Sequence, residues 1–256
     1  MSAALPDIAA AMAVAETAAA AGAKVLRGMW RGAQTTLAET AHDVKLQADR
    51  DAEAAILAVL GETPWPRLAE ESGAHGAVGR EDTPYWVVDP LDGTVNFNRG
   101  IPFCSVSVAL CLGNRPLLGV VCDFLHDEVF SGAPGHGAWH NGRPMRVSGL
   151  RETGRAMLGF GMPLNREYDQ AEVIGFHETV GRFRRGRQLG SAALLLAWVA
   201  CGRMDAYLED DIMFWDIAAG MALVEAAGGW MDVQPTATLP WARKIRAASH
   251  RDIWNL

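Results

Sequence analysis

Three groups of acidic residues could do chemistry together, because each lies at the end of a predicted strand or at the start of a predicted helix. The first group is Asp89 and Asp92, in the segment EDTPYWVVDPLDGTVNF. Glu70 and Glu71 precede it in LAEESGAHG, and Asp216 follows it in EDDIMFWDIAAG. Carboxylates are seldom buried without a cation or an ion-pair partner. If these carboxylates converge, they would bind a divalent metal, and ligands that are all oxygen favour Mg²⁺.

The stretch from Asp89 to Thr94 adds an anion-binding feature to this acidic set. Pro90 fixes the local backbone and helps to hold Asp89 and Asp92 in one geometry. Gly93 permits an unusual turn and lets a ligand approach the backbone closely. If a helix begins at Gly93 and Thr94, its free N–H groups form an anion site. Two carboxylates beside an anion site suit a divalent cation that also binds a substrate phosphate.

Each acidic group also has a purely structural interpretation. An Asp-Pro turn in which Asp92 caps a helix would explain the first group, and a solvated loop would explain the two glutamates. An aspartate at a helix start, such as Asp216, is a common cap. Taken singly, these structural interpretations are the stronger ones for the glutamates and for Asp216. Three such groups in one chain, however, form the arrangement that a two-metal phosphatase site needs.

Four segments of the chain resemble the inositol monophosphatase family. WVVDPLDGTVNF is similar to the central family motif DP[IL]DGTxNF, AEESG to the GEES segment, and FWDIAAGMALVEAAGG to the C-terminal signature WDxAAG…EAGG. RQLGSAALLLAWVACGRMDAYLE resembles the helix and strand on the substrate side of the family site. The segments occur in the family's order and span nearly the whole chain. The resemblance implies an α+β fold, a layered αβαβα sandwich of the inositol monophosphatase and fructose-1,6-bisphosphatase type.

The resemblance also implies the site residues of a Mg²⁺-dependent, lithium-sensitive phosphomonoesterase. The ligands of two or three Mg²⁺ ions would be Glu70, Asp89, the Leu91 carbonyl, Asp92 and Asp216. Thr94 would activate the attacking water with Asp49 as its partner carboxylate, and Glu70 would complete the catalytic set by holding a third, water-rich ion. The residues that would contact the phosphate or the alcohol portion of the substrate are Asp92, Gly93, Thr94, Gly190, Ser191, Ala192, Glu209 and Asp216.

Two departures from the family pattern bear on the water and on the substrate. The tripeptide KLQ at 45–47 stands where the family often has Val-Thr, which weakens the assignment of Asp49. After the Glu209 position the chain carries Asp210 and Asp211, and Met213 replaces a histidine that is common in animal members. The two extra acids are either solvated or favour a substrate that carries an amine.

Several functions therefore stay open. The leading prediction is hydrolysis of a small polyol phosphate, most of all inositol 1-phosphate, by a metal-activated water. Histidinol-phosphate phosphatase is an alternative, and bisphosphate nucleotidases and fructose bisphosphatases share the core motif. A regulatory binding protein that retains the fold is the non-enzymatic alternative, although the complete acidic set favours catalysis. The expected partners are a small phosphorylated substrate and a second copy of the chain in a homodimer.

Composition is typical of a globular protein of a reducing compartment. The chain has 256 residues, half of them apolar, which suits one domain over 1–256 with an optional lobe boundary near Arg151. A net charge of −7 without a long basic run argues against nucleic acid as a partner. The four cysteines form no CxxC pair and are predicted to be buried apolar side chains. The alanine-rich N-terminus is interrupted by Asp7 and Glu16, which predicts a helix rather than a signal peptide or membrane span, and a cytoplasmic protein.

Local patterns predict the elements that must position the acidic residues. Helices are predicted from Pro6 to about Met29, from just after Asp49 to a point just before Gly61, and in the segments EVIGFHETVGRFR, GSAALLLAWVACG and WDIAAGMALVEAAGG. Strands are predicted for YWVVD, for a hairpin of SVSVALCL and PLLGVVCDF, for short strands around an Asn141-Gly142 turn, for MLGFG, and for MDAYLE ending at Glu209. An antiparallel block followed by alternating strands and helices predicts a layered α+β fold.

Overall fold

The structure, a computed structural model, describes residues 6–32, 34–39, 44–162 and 167–255. The helices are α1 (Ile8–Met29), α2 (Gln47–Leu60), α3 (Thr94–Arg99), α4 (Gln170–Gly181), α5 (Ala192–Ala200) and α6 (Phe214–Ala226). The strands are β1 (Thr36–Glu39), β2 (Val44–Leu46), β3 (Arg67–Ala69), β4 (Gly73–His75), β5 (Tyr85–Asp92), β6 (Ser105–Leu112), β7 (Arg115–Asp123), β8 (Glu128–Ala133), β9 (Gly137–His140), β10 (Arg143–Pro144), β11 (Met157–Phe160), β12 (Arg185–Arg187), β13 (Ala206–Met213), β14 (Trp230–Pro235) and β15 (Ala242–Ala248). Two short 3₁₀ helices lie at Thr153–Arg155 and Arg251–Trp254.

Two large sheets organise the molecule. The first has eight strands in the order β10-β9-β8-β7-β6-β5-β3-β4 and is antiparallel except where β3 runs parallel to β5. The second has five strands in the order β12-β11-β13-β15-β14, with β11 parallel to both of its neighbours. The chain passes from the first sheet to the second between Pro144 and Met157, a stretch that contains Arg151.

Three apolar clusters join the sheets and helices into five layers. Helices α1 and α2 cover one face of the eight-stranded sheet and share a cluster with Trp86 and Val88 of β5. Helices α5 and α6 lie between the sheets, in a cluster that contains Val87 and Tyr207. Helix α4 packs on the far face of the five-stranded sheet, beside Leu208. Successive residues of β5 and of β13 point into different clusters, as the alternation of a strand requires. The order helix, sheet, helix, sheet, helix confirms the predicted αβαβα sandwich.

Helix α1 is long and apolar enough to cross a membrane, judged by length and composition alone. Asp7 caps its first turn by accepting the N–H groups of Ala9 and Ala10 at 3.0 and 3.2 Å. Its buried residues are Ala11, Ala15, Ala18, Ala19, Gly22, Ala23 and Leu26. They pack against α2 and the eight-stranded sheet, so the helix buries its apolar stripe within the protein, as a core helix of this composition does.

The predicted helices and strands are confirmed to within a few residues, but the predicted start of α2 is wrong. The helix begins at Gln47, so Asp49 lies inside its first turn rather than before it. The physical reason is a cap, because Oδ2 of Asp49 accepts the N–H of Leu46 at 2.9 Å. An acidic residue in the first turn also interacts favourably with the helix dipole.

The end of β13 also differs from the prediction. The strand does not stop at Glu209 but continues to Met213 beside β15. Its pairing is irregular between Glu209 and Ile212, where Asp211 has a φ of 57°.

All four cysteines are free thiols. Cys104, Cys111 and Cys122 are buried, as predicted, whereas Cys201 is partly exposed. Burial raises the pKa of each thiol above its ordinary value, which makes these cysteines poor nucleophiles.

Candidate active site

A bulge in β5 brings the two aspartates of the DPLD segment to the same side of the sheet. Asp89 pairs with Ser107 of β6 and Asp92 with Ser105, so three steps along β5 match two along β6. In a regular strand, residues three apart point to opposite faces, and one extra residue restores the common face. Both side chains are buried, with 1% of Asp89 and 7% of Asp92 exposed.

Four carboxyl groups meet at this end of β5. Glu70 follows β3, the parallel neighbour of β5, and its N–H donates to the Val88 carbonyl at 3.1 Å. Asp216 lies in the first turn of α6. The Asp89 carboxyl is hydrogen-bonded to those of Glu70 and Asp216, and the charge of Asp92 acts on both neighbouring aspartates. The three acidic groups of the sequence therefore form one cluster.

Burial raises the pKa of every member of this cluster, and the charges of neighbouring acids raise the pKa values of Glu70, Asp89 and Asp216 further. Burial, and then the charges of Asp49 and other acids, raise the pKa of Glu70 to about 8. Burial and the charge of Glu70 raise the pKa values of Asp89 and Asp216 well above the ordinary value. Burial raises the pKa of Asp92 to about 6, although hydrogen bonds from α5 oppose the shift. Such a cluster retains protons unless a cation balances its charge.

The donor set suits a hard divalent cation. Its members are carboxylate oxygens, which Mg²⁺ prefers, and their repulsion is the kind that a bound cation relieves. Among the described residues, no group of three or more acidic, histidine or cysteine side chains is arranged to hold a metal ion as it stands. The fit to a metal therefore rests on the convergence and charge of the carboxyls.

Asp92 has a second contact, with the start of α5. Its Oδ2 accepts the Ser191 hydroxyl at 2.5 Å and the Ala193 N–H at 2.7 Å. The Ser191 oxygen in turn accepts the Leu194 N–H at 3.3 Å and caps α5. The interpretation of Asp92 as a helix cap is thus correct in kind, but the helix is α5, about a hundred residues away, and not α3, which follows Asp92 directly.

The structure brings Thr94 and Asp49 together. Thr94 begins α3, and its hydroxyl oxygen lies 2.9 Å from Oδ1 of Asp49 and 3.0 Å from the Leu91 carbonyl oxygen. Burial raises the pKa of Asp49 to about 6, and the hydrogen bond from Thr94 partly opposes this shift. The unusual tripeptide at 45–47 therefore does not keep Asp49 away from Thr94.

Gly93 lets two distant segments meet beside the cluster. Its φ of 94° lies in the left-handed region, and a Cβ there would lie 2.9 Å from the Phe103 carbonyl oxygen and 3.1 Å from that of Gly190. Asn96 Nδ2 holds the same junction by donating to the carbonyls of Phe103, at 2.8 Å, and Leu189, at 2.7 Å. The DGT turn thus faces the segment that leads into α5.

A cavity of about 220 Å³ opens beside Asp92. The predicted substrate residues in its wall are Asp92, Gly190, Ser191, Ala192 and Glu209. Gly93, Thr94 and Asp216 are absent from this wall; they lie around the carboxyl cluster. The predicted phosphate contacts and the predicted alcohol contacts therefore fall into two adjoining places.

Tyr207 lines this cavity and was missed by sequence reasoning. Its buried hydroxyl donates to the Glu209 carboxylate, and burial raises the pKa of Glu209 to about 7. The available signal was spacing, because residues two apart on a strand share a face. Gly161 was missed as well: a Cβ there would lie 1.9 Å from a Glu209 oxygen, so a glycine leaves room for this carboxylate.

The interpretation of Asp210 and Asp211 as contacts for an amine on the substrate is wrong. Asp210 follows Glu209 on β13 and therefore points to the opposite face, where it pairs with Lys244 at 3.0 Å. Asp211 accepts the Thr238 hydroxyl at 2.7 Å. Neither residue lines the cavity beside Asp92. This removes the sequence-based reason for favouring histidinol phosphate.

The fold is shared with solved structures across nearly its full length. An inositol monophosphatase from Anabaena superposes with a TM-score of 0.81 at 33% identity, covering 96% of this chain and 92% of the other. The extragenic suppressor protein SuhB from Bartonella henselae gives a TM-score of 0.84 at 32% identity, covering 95% of both chains. These similarities place the protein in the class of layered αβαβα sandwiches, which is the fold that the resemblance of its motifs implied.

Sequence comparison then gives the family. The profile of the Inositol monophosphatase family matches residues 7–254, so the chain belongs to this family. It is 41% identical over 193 residues to the inositol-1-monophosphatase of Mesorhizobium japonicum, and the aligned region covers 74% of this chain and 71% of that protein. It is 40% identical over 195 residues to a protein of Pseudomonas aeruginosa named Nus factor SuhB, with 74% and 72% covered. The family and the name of the Mesorhizobium relative indicate a phosphatase.

Proposed function

We propose that this protein is a Mg²⁺-dependent phosphomonoesterase that hydrolyses a small polyol phosphate, with inositol 1-phosphate as the leading substrate. The observation that carries the proposal is the convergence of Glu70, Asp89, Asp92 and Asp216 at one end of β5, next to a cavity. Four converging carboxyls, of which Asp89 and Asp92 are buried and Glu70 and Asp216 are partly exposed, are costly without a cation, and a phosphate ester bound beside them would add further negative charge.

The four carboxylates and the Leu91 carbonyl would hold two Mg²⁺ ions, and Glu70 would also hold a third, water-rich ion. Bound Mg²⁺ supplies charge neutralisation for the phosphate and activation of the attacking water. In the absence of covalent chemistry, phosphoryl transfer depends on such neutralisation and on positioning. The N–H groups of Gly93 and Thr94 would receive the phosphate, because the left-handed turn at Gly93 allows a close backbone approach.

Thr94 and Asp49 would position the water and take its proton. The Thr94 hydroxyl donates toward Asp49, so its oxygen is left as an acceptor for the water. As the water attacks phosphorus and the P–O bond to the alcohol breaks, the water's proton would pass to the Thr94 oxygen while the Thr94 proton passes to Asp49. The departing alkoxide would take a proton from a solvent water and leave as the alcohol. A carboxyl whose pKa is raised to about 6 by burial accepts a proton near neutral pH more readily than an exposed aspartate does.

The cavity beside Asp92 suits an alcohol portion that carries hydroxyl groups. Glu209 has one hydrogen bond from Tyr207 and, as a carboxylate, can accept further bonds from hydroxyls. A site built to bind hydroxyls discriminates strongly against substrates that lack them. A cavity of about 220 Å³ also favours a single small ring over a nucleotide.

A phosphate-release assay tests the proposal. The panel contains inositol 1-phosphate, histidinol phosphate, fructose 1,6-bisphosphate and adenosine 3′,5′-bisphosphate. We expect turnover that disappears in chelator, returns with Mg²⁺, decreases with millimolar Li⁺, and is fastest with inositol 1-phosphate. Asp232→Asn, on an exposed position of β14, serves as a control that retains activity. Turnover that is unchanged in chelator would refute the metal assignment, and a preference for another panel member would replace the substrate.

A second candidate function is regulatory binding, which is favoured by the relatives that carry the name Nus factor SuhB. The two functions can be separated with an Asp92→Asn variant that has lost turnover. If this variant restores normal growth to a deletion strain of the source organism, binding rather than hydrolysis is the principal role. The proposed homodimer is tested separately by sedimentation equilibrium of the purified chain.

A further inference from the structure

Glu209 is the second acid in the wall of the cavity beside Asp92. It is partly exposed, and its Oε2 accepts a hydrogen bond from the Tyr207 hydroxyl. Its other oxygen, Oε1, is not buried and has no hydrogen-bond partner among the described residues. The protein thus holds one oxygen of this carboxylate and leaves the other free to accept a bond from a molecule in the cavity.

Tyr207 holds Oε2 of Glu209 from a fixed position. Its side chain is fully buried in the apolar cluster between the two sheets, so its hydroxyl cannot contact a substrate and acts only through Glu209. The two residues share a face of β13, because the strand pairs regularly with β15 from Ala206 to Glu209. Because protein interiors are close-packed, the ring and its hydroxyl have little freedom to shift.

Gly161 provides the surface against which the Glu209 carboxylate lies. It follows β11, whose Phe160 pairs with Leu208 of β13, and its N–H donates to the Leu208 carbonyl at 3.1 Å. A Cβ on Gly161 would overlap the Glu209 carboxylate. The φ of Gly161 lies outside the left-handed region, so the backbone here does not itself demand a glycine. What position 161 requires is space for the carboxylate.

A buried tyrosine hydroxyl does not by itself require a carboxylate as its acceptor. Tyr85 is equally buried, and its hydroxyl donates to the Gly113 carbonyl oxygen at 2.7 Å. The acceptor of Tyr207 is instead an acid in the wall of a cavity that already holds the charge of Asp92. A second negative charge there is unfavourable for the fold alone, so its placement, with one oxygen fixed and one free, indicates recognition of a ligand.

We propose that Tyr207 and Gly161 are positioning residues for the alcohol portion of the substrate. They fix the Glu209 carboxylate so that Oε1 accepts a bond from one hydroxyl of the alcohol. This role rests on the proposed function, which it extends from the residue that contacts the alcohol to the residues that orient it. A fixed acceptor discriminates against alcohols that have no hydroxyl within its reach. None of the three residues belongs to the carboxyl cluster, so they should affect KM for such an alcohol more than kcat.

Steady-state kinetics in saturating Mg²⁺ test the role of Tyr207, with inositol 1-phosphate and p-nitrophenyl phosphate as substrates. Tyr207→Phe should raise KM for inositol 1-phosphate about tenfold, the effect of one hydrogen bond, with a much smaller effect on kcat and on either constant for p-nitrophenyl phosphate. Tyr85→Phe is the matched control, because it removes the hydroxyl of another fully buried tyrosine that does not line the cavity. It should leave the kinetics with both substrates unchanged. A comparable loss of kcat with both substrates in Tyr207→Phe would indicate a general structural defect and overturn the proposal.

Gly161→Ala perturbs the same carboxylate without removing a hydrogen-bond donor. The added Cβ should displace the carboxylate, which is the far end of a flexible side chain, and raise KM for inositol 1-phosphate by about tenfold as well. Gly22→Ala is the matched control, because a Cβ on this residue of α1 would lie 2.7 Å from the Ile56 side chain of α2, outside the cavity. In a Glu209→Ala background, neither Tyr207→Phe nor Gly161→Ala should raise KM further. A further rise there would show that the two residues act independently of Glu209 and would overturn the proposal.

Crystal structures of the substrate-free proteins give a measurement that does not depend on turnover. The Glu209 carboxylate should be displaced in Tyr207→Phe and in Gly161→Ala relative to the wild type, and an unmoved carboxylate in both would overturn the proposal. The wild-type kinetics test the proposed function separately. A wild type that does not prefer inositol 1-phosphate to p-nitrophenyl phosphate would remove the proposed function and this role with it, whereas a preference that persists in both variants would overturn this role alone.

Discussion

Replacing Asp92 with asparagine should increase the stability of the metal-free protein while it abolishes turnover. Asp92 is 7% exposed, and burial raises its pKa to about 6. The asparagine carbonyl can still accept the bonds from Ser191 and Ala193 that hold the start of α5. What the variant loses is the negative charge, and this charge is unfavourable until a cation is bound.

The size of the effect follows from the pKa shift. A rise from 3.8 to about 6 is roughly two pKa units, and each unit corresponds to about 1.4 kcal/mol. Ionised Asp92 therefore destabilises the folded state by up to about 3 kcal/mol above pH 6, and neighbouring carboxyls that share protons reduce this value. Near pH 4 the folded-state carboxyl is protonated, so the gain from asparagine disappears there. A gain of 1 kcal/mol raises the melting temperature of a chain of this size by about 2–4 °C.

The assay is thermal unfolding of both proteins between pH 4 and pH 8, in chelator and in saturating Mg²⁺. In chelator at pH 8, Asp92→Asn should melt several degrees above the wild type, and the two should coincide near pH 4. In Mg²⁺ the order should reverse, because the metal stabilises only the folded state that binds it. Asp92→Ala is the matched control: it also removes the charge, but it breaks both contacts with α5 and should melt below Asp92→Asn. A variant that is less stable than the wild type in chelator at pH 8, or that gains as much from Mg²⁺, would refute this account of the cluster.

Three further predictions concern neighbouring groups. Burial raises the pKa of Glu70 to about 8 and that of Asp49 to about 6, so the metal-free folded state binds more protons than the unfolded chain. Its melting temperature should therefore fall as the pH rises from about 4 to 8, and a flat profile would contradict this. Thr94→Val should lower kcat about 10²–10⁴-fold with little change in KM, and a double variant that also carries Asp49→Asn should lose little more. Losses of the two substitutions that add up would show that Thr94 and Asp49 have separate roles. Glu209→Gln should lower kcat/KM for the preferred polyol phosphate much more than for p-nitrophenyl phosphate, and equal losses would show that Glu209 does not contact the alcohol.

Much of the fold could be predicted because its signals are local. The run YWVVD, the Asn141-Gly142 turn and the alanine-rich first helix each report the conformation of a few neighbouring residues. The end of α2 is marked in the same way by Gly61, which follows its last residue. The start of α2 was misjudged because Asp49 caps the helix from inside the first turn, a contact that spacing alone does not reveal.

The membership of the acidic cluster could also be predicted, but not its geometry. Asp89 and Asp92 are three residues apart, and only the bulge in the pairing with β6 brings them to one face. The partner of Asp92 is the start of α5, which no local pattern connects with β5. The motif therefore identifies the residues, whereas the long-range register of the sheet decides what each of them contacts.

The alternation of β13 shows most clearly why one step along a strand can change a functional conclusion. In the sequence, Glu209 and Asp210 are neighbours of the same charge, and both are candidate contacts for the substrate. In the fold, Glu209 joins Tyr207 beside the carboxyl cluster, while Asp210 pairs with Lys244 on the other side of the sheet. An acid on this strand therefore faces the cavity beside Asp92 or the opposite side of the sheet according to its parity alone. The irregularity in the pairing with β15 begins only after Glu209, so Tyr207 and Glu209 keep the common face that a regular strand gives to residues two apart.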